Sequence, residues 1–184
     1  MAKSIGVLSI LEGPVLHQVI MLWKLFEAKY GSKGVQSFAY PSVTFWGGRC
    51  DDPSSVADAL RDLSLRLRPL ELTIDGFGYF EARSKVVFLK VVLTEDLRCL
   101  SQAVNDLLQK RCDNVFQDYL PERWVPHITV AMGDLSDGDF ERARRDLRRR
   151  HPRYQLNIPN MHLVQRDERT GRSEIIRCYA LTMD

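Results

Sequence analysis

From Ser4 to Leu11 apolar residues alternate loosely with small or polar ones, and a period of two predicts a strand. Pro14 then opens a stretch in which Val15, Leu16, Val19, Leu22, Trp23, Phe26 and Tyr30 recur at helical spacing, followed by Gly31. That pattern predicts a helix to about Tyr30 with one buried stripe and a glycine stop. Phe38 to Trp46 reads as a second strand, and Asp52-Pro53-Ser54 starts a second helix with Val56, Leu60, Leu63 and Leu67 inward, ended by Pro69.

Leu70 to Phe80 and Lys85 to Leu93 predict two more strands, the second too apolar to be an exposed edge. Thr94-Glu95-Asp96 caps a helix whose inward positions are Leu97, Leu100, Val104, Leu107 and Leu108. An irregular stretch around Tyr119-Leu120-Pro121 precedes a strand from Trp124 to Met132, and a helix runs from Ser136 to about Arg150. Tyr154 to Gln165 and Glu174 to Leu181 form a closing hairpin around Thr170-Gly171. Side by side, each half reads strand, helix, strand, helix, strand, strand, with 85–93 serving both halves. The expectation is an α+β fold in which 1–184 form a single domain of two pseudo-symmetric lobes, antiparallel strands with outer helices, and a cleft between them.

One segment is written twice within this pattern. Pro41-Ser42-Val43-Thr44-Phe45-Trp46-Gly47-Gly48 and Pro126-His127-Ile128-Thr129-Val130-Ala131-Met132-Gly133 share Pro, Thr and the final Gly at a constant offset of 85 residues. Alternation puts Ser42 and Thr44 on one face of the first strand and His127 and Thr129 on one face of the other, with apolar partners opposite. Tyr40 and Trp46 share the parity of Thr44, and Arg123 that of His127, so these three are candidate ligand contacts. The aromatics are suited to stacking on a base, although aromatics on a strand more often pack. An imidazole gives or takes a proton near neutral pH, and a Thr hydroxyl two residues away can hold an anionic oxygen. Two such pairs facing each other would grip a phosphodiester and transfer its phosphoryl group without a metal.

Composition narrows the setting. At 184 residues the chain can bury a sizeable core, and its net charge of +2 gives no whole-protein field for nucleic acid or anionic membrane. Cys50, Cys99, Cys112 and Cys178 lack metal-ligand spacing and read as reduced core thiols. The apolar run Ile5 to Leu11 is too short to span a membrane, and Glu12-Gly13-Pro14 does not suit a cleavage site, so a cytoplasmic protein with no membrane partner is expected. No cofactor is implied, and a monomer is the default. Arg142 to Arg153 holds seven arginines, either a solvated helix face or an RNA-backbone patch.

At the repeated segment the chain resembles the two-histidine phosphoesterase superfamily, whose members include RNA 2′,3′-cyclic phosphodiesterases also described as 2′-5′ RNA ligases. The family's mark is His-x-Thr, usually after Pro, in each of two pseudo-symmetric lobes. The resemblance extends to Leu72–Phe80, Val86–Val92 and the closing hairpin with Leu163 and Gly171. It implies that His127 is a catalytic histidine, that Thr44 and Thr129 hold phosphate, and that the substrate is a cyclic phosphate or phosphodiester of RNA or a nucleotide. Ser42 stands where the second histidine belongs. A serine is too weak a base to replace imidazole, and losing one general acid or base costs about 10² to 10⁴ in rate. Three readings compete: binding without turnover, slow or altered chemistry on His127 alone, and an engineered serine. His17 and His162 are possible substitutes, though no motif places them in the cleft. The leading expectation is a phosphodiesterase-like enzyme with weakened activity; the alternative is a non-catalytic module binding nucleotides or RNA ends in the same cleft.

Overall fold

Helix boundaries follow the local chemistry of their ends. A computed structural model describes residues 3–81 and 84–182. The first helix closes on Gly31 at φ 68°, and the other three open on side-chain caps: Asp52 accepts from the Ser54 amide at 3.0 Å, Thr94 from Leu97 at 3.2 Å and Ser136 from Asp139 at 3.1 Å. The elements are β1 (Lys3–Ile10), α1 (Gly13–Tyr30), β2 (Ser42–Cys50), α2 (Pro53–Ser64), β3 (Leu70–Phe80), β4 (Val86–Val91), α3 (Glu95–Leu108), β5 (Asn114–Val115), β6 (His127–Met132), α4 (Asp137–Leu147), β7 (Arg153–Ile158), β8 (Asn160–Arg166) and β9 (Ser173–Ala180).

The strands form two antiparallel sheets, ordered β5-β2-β1-β8-β9 and β6-β4-β3-β7. The fold is therefore α+β with two lobes, each built on one motif strand. Two expectations need correcting. The strand at 86–91, expected to serve both lobes, pairs with β3 and β6 in the second sheet alone. The single strand expected over 154–165 is two strands. Pro159 supplies no amide to a ladder, and the chain changes sheets there, Ile158 pairing with Leu70 and Asn160 with Ala180.

The halves of the sequence are thus interleaved rather than set side by side. Helix α1, which follows β1 of the first sheet, packs on β6 of the second, while α3, which follows β4 of the second, packs on β2 of the first. Buried residues from both sheets, including Val7, Phe45, Leu72, Leu89, Ile128 and Leu163, belong to one continuous hydrophobic core. A core shared in this way ties the two motif strands into one mechanical unit.

Both motif strands carry a β-bulge at the same place. Val7 opposes Trp46 while Leu8 opposes Thr44, leaving Phe45 as the extra residue; Val87 opposes Ala131 while Phe88 opposes Thr129, leaving Val130 extra. Beyond each bulge the alternation is reset, which sends Trp46 and Ala131 into the core, both fully buried. Gly47 and Met132 return to the face of the preceding Thr. Of the cysteines, only Cys50 is buried; Cys112 is partly buried, and Cys99 and Cys178 are exposed, so the expectation of four core thiols does not stand.

Candidate active site between the motif strands

Ser42, Thr44, His127 and Thr129 are each half-buried and line one cavity of about 430 Å³ between the sheets. Tyr40 and Arg123 line it too. The two motif copies therefore do face one cleft, as their constant offset predicted. Trp46 is the exception, since the bulge at Phe45 turns its indole into the core with no exposure, and it cannot stack on a ligand. Tyr40 reaches the cleft from outside the strand. Residues Gly34–Phe38 form a 3₁₀ turn and Ala39 sits at φ 64°, so β2 begins at Ser42 rather than Phe38, leaving Tyr40 49% exposed at the rim. Asp134 pins this rim across the cleft, accepting from Ser32 Oγ at 2.6 Å and the Gly34 amide at 2.7 Å.

His127 is oriented by its own surroundings. Its Nδ1 lies 2.7 Å from the Val125 carbonyl, which can only accept, so Nδ1 carries the proton and Nε2 presents a lone pair. Phe80 packs edge-on at 5.2 Å between ring centroids and Phe88 tilted at 5.1 Å, fixing the ring plane. Burial pushes the imidazole below its ordinary value of 6.5, with the Val125 hydrogen bond and the Asp118 charge opposing more weakly. A neutral imidazole with a free Nε2 is ready to accept a proton at neutral pH.

The two threonines are held by a pair of reciprocal contacts that no periodicity reveals. Trp124 Nε1 donates to the Thr44 carbonyl at 3.0 Å, and Trp23 Nε1, from α1, donates to the Thr129 carbonyl at the same distance. Trp23 comes from α1, which packs on β6, and Trp124 from the loop before β6, from which it reaches β2. Trp124 was expected to begin the motif strand, but β6 starts at His127 and Trp124 is a buried loop residue.

Sequence reasoning also missed Tyr119, which lines the same cavity. Its ring lies against Gly47, where a Cβ would come within 2.9 Å of the Tyr119 ring. The one available signal was Gly47 itself, standing where the second copy has Met132. Arg123 is exposed and donates to the Gln117 amide oxygen at 3.1 Å. His17 is exposed on α1, bonded to the Gly13 carbonyl at 3.1 Å, and is not among the residues lining the cavity. His162 is buried on β8 opposite Leu8, with Nδ1 unpartnered among the described residues. Among the described residues no cluster of His, Cys, Asp and Glu is arranged to hold a metal ion, and no helix is long and apolar enough to cross a membrane. In the arginine-rich segment, Arg142 donates to the Lys29 carbonyl at 2.6 Å and Arg144 pairs with Glu81 at 2.9 Å, so part of it ties α4 to its neighbours.

Two sheets presenting paired His/Ser-x-Thr strands to one cavity define a two-histidine phosphoesterase architecture. Residues 39–170 match the 2′-5′ RNA ligase superfamily, and the chain belongs to that family. A Bacillus licheniformis protein assigned by inference as a phosphoesterase is 32% identical over 114 residues, 62% of this chain and 63% of that protein, so the match spans less than two thirds of the relative's length. Among solved structures, TT0787 of Thermus thermophilus superposes with a TM-score of 0.68 at 16% identity, with all of both chains covered. Escherichia coli LigT complexed with 3′-AMP gives 0.64 at 18% identity, with 99% of both covered. At such identities these two likenesses describe the fold.

Proposed function

We propose that this protein binds a phosphate ester of a nucleotide or RNA end between β2 and β6 and cleaves a cyclic phosphate or phosphodiester there, without a metal and with weakened activity, using His127 as its one motif imidazole. The observation that carries this reading is the meeting of Thr44, Thr129 and His127 from two sheets on one cavity. The threonine hydroxyls hold the non-bridging phosphate oxygens, and His127 Nε2 takes the proton of the attacking water. Arg123 adds a positive charge at the mouth, and Tyr40 offers its exposed ring to a base. Support for a nucleotide ligand comes from E. coli LigT, which shares the fold and has been solved with 3′-AMP, ATP and NADP+.

A second reading has its own observation. Ser42 brings no imidazole to the first strand, and a cleft with one proton-transfer residue suits a module that binds nucleotides or RNA ends without turnover. Hydrolysis and binding of nucleoside 2′,3′-cyclic phosphates by the unsubstituted chain, Ser42→His and His127→Ala separate the two. Turnover by the unsubstituted chain that vanishes in His127→Ala supports the enzyme. Activity arising only in Ser42→His supports the binding module, and no turnover or binding in any of the three refutes the substrate class.

A further inference from the structure

The first motif copy departs from the second at two cleft-facing positions, and both departures border the same side chain. Ser42 replaces the counterpart of His127, and Gly47 replaces the counterpart of Met132. Tyr119 occupies the room that Gly47 leaves. Its backbone is placed by β5, which pairs with Gly48 and Arg49, and by the Phe116 amide, which donates to the Gly47 carbonyl at 2.9 Å. From there the ring lies over Gly47, and Tyr119 lines the cavity together with Ser42, Thr44 and His127. The phenol therefore shares one cavity with the position where the first imidazole would stand. Beside the first motif strand a phenol borne by a loop thus stands in the cavity that its serine lines.

The geometry points to Tyr119 as the proton donor to the leaving oxygen, in place of the imidazole that Ser42 lacks. This rests on the reading of the cleft as a phosphodiesterase site. Burial raises the phenol above its ordinary value of 10, with the Thr44 side chain opposing, so the group is fully protonated at neutral pH. A ribose alkoxide is more basic than a phenolate, and proton transfer to it from Tyr119 is downhill. In the step, water forms a bond to phosphorus and gives its proton to His127 Nε2. The bond from phosphorus to one ribose oxygen breaks, its electron pair stays on that oxygen, and the oxygen takes the Tyr119 proton. Imidazolium and phenolate then exchange a proton through solvent, which resets both. Only water and the phosphate ester are consumed.

The experiment compares two substrates that differ in their need for an acid. A nucleoside 2′,3′-cyclic phosphate expels a basic alkoxide, whereas a 4-nitrophenyl phosphodiester of thymidine expels a stable phenolate unaided. Tyr119→Phe should lower kcat about 10²-fold or more on the cyclic phosphate and change it little on the nitrophenyl ester, while His127→Ala lowers both. Adding Ser42→His to Tyr119→Phe should restore the cyclic phosphate rate. Unchanged turnover of the cyclic phosphate by Tyr119→Phe overturns the proposal and leaves the phosphodiesterase reading standing. Equal losses on both substrates also overturn it, since a packing or positioning role would act on both. Failure of the unsubstituted protein on both substrates removes the phosphodiesterase reading, and the role of Tyr119 with it.

Discussion

Strands β2 and β6 share one backbone design and carry different chemistry. Each begins after a proline, presents a residue and then a threonine to the cleft, bulges at the next position, and has its threonine carbonyl held by an indole. On β6 the first cleft position is an imidazole braced by Phe80, Phe88 and the Val125 carbonyl. On β2 it is a serine, and the neighbouring contact is a phenol borne by a loop. The backbone symmetry keeps two hydroxyls converging on one cavity whatever stands beside them. On the proposed function, phosphate binding and proton transfer are therefore separable: the first is assigned to the repeat, the second to side chains that differ between its copies.

The largest expected break in this comparison is His127→Ala. It should cost about 10² to 10⁴ in kcat on a cyclic phosphate, while phosphate affinity, which the proposed function assigns to the threonines, changes far less. Steady-state kinetics and calorimetry on the same samples check both halves of that statement. Next are the two indoles. Trp124→Phe and Trp23→Phe each leave a part-buried threonine carbonyl without its indole donor, at about 1–3 kcal/mol in urea-induced unfolding. If the reciprocal design sets the cleft, both should also weaken phosphate binding; an effect from only one would end the equivalence of the strands.

Gly47→Ala sharpens the difference between the copies. The new methyl meets the Tyr119 ring at 2.9 Å, and relief of that contact should cost about 1–3 kcal/mol and move the ring away from Thr44. A fall in kcat on the cyclic phosphate larger than the rise in KM is the expected signature. The smallest effect is on acid stability. His127 and His162 have folded values depressed below 6.5, so between those values and 6.5 the unfolded chain binds more protons than the folded one. Their contribution to stability is present above pH 6.5 and is lost as pH falls through the folded values. Thermal midpoints measured down this range should fall, and less steeply in His127→Gln; Ser42 adds nothing to the slope.

Helices α1 to α4 were legible because their signals are local: Pro14 and Gly31 bound α1, and Asp52, Thr94 and Ser136 accept from amides within three residues. That Ser42, Thr44, His127 and Thr129 face one cavity was legible because a strand's period of two holds up to the threonine. One residue further it fails. The bulge at Phe45 resets the parity, and the same reasoning that placed Thr44 in the cleft misplaced Trp46. Tyr40 was assigned to the cleft by a strand that does not extend to it, and lies there because a turn carries it to the rim.

The repeat, its spacing and its one mismatched position were determined by sequence alone, since they are properties of residue order. Which strands share a sheet, where Pro159 passes the chain from one sheet to the other, and which indole reaches which carbonyl were decided by tertiary packing, because those contacts join residues whose separation along the chain carries no period. Tyr119 belongs with the latter. Nothing in its neighbourhood marks it, and it enters the site because Gly47, on a strand far from it in sequence, leaves its ring somewhere to lie.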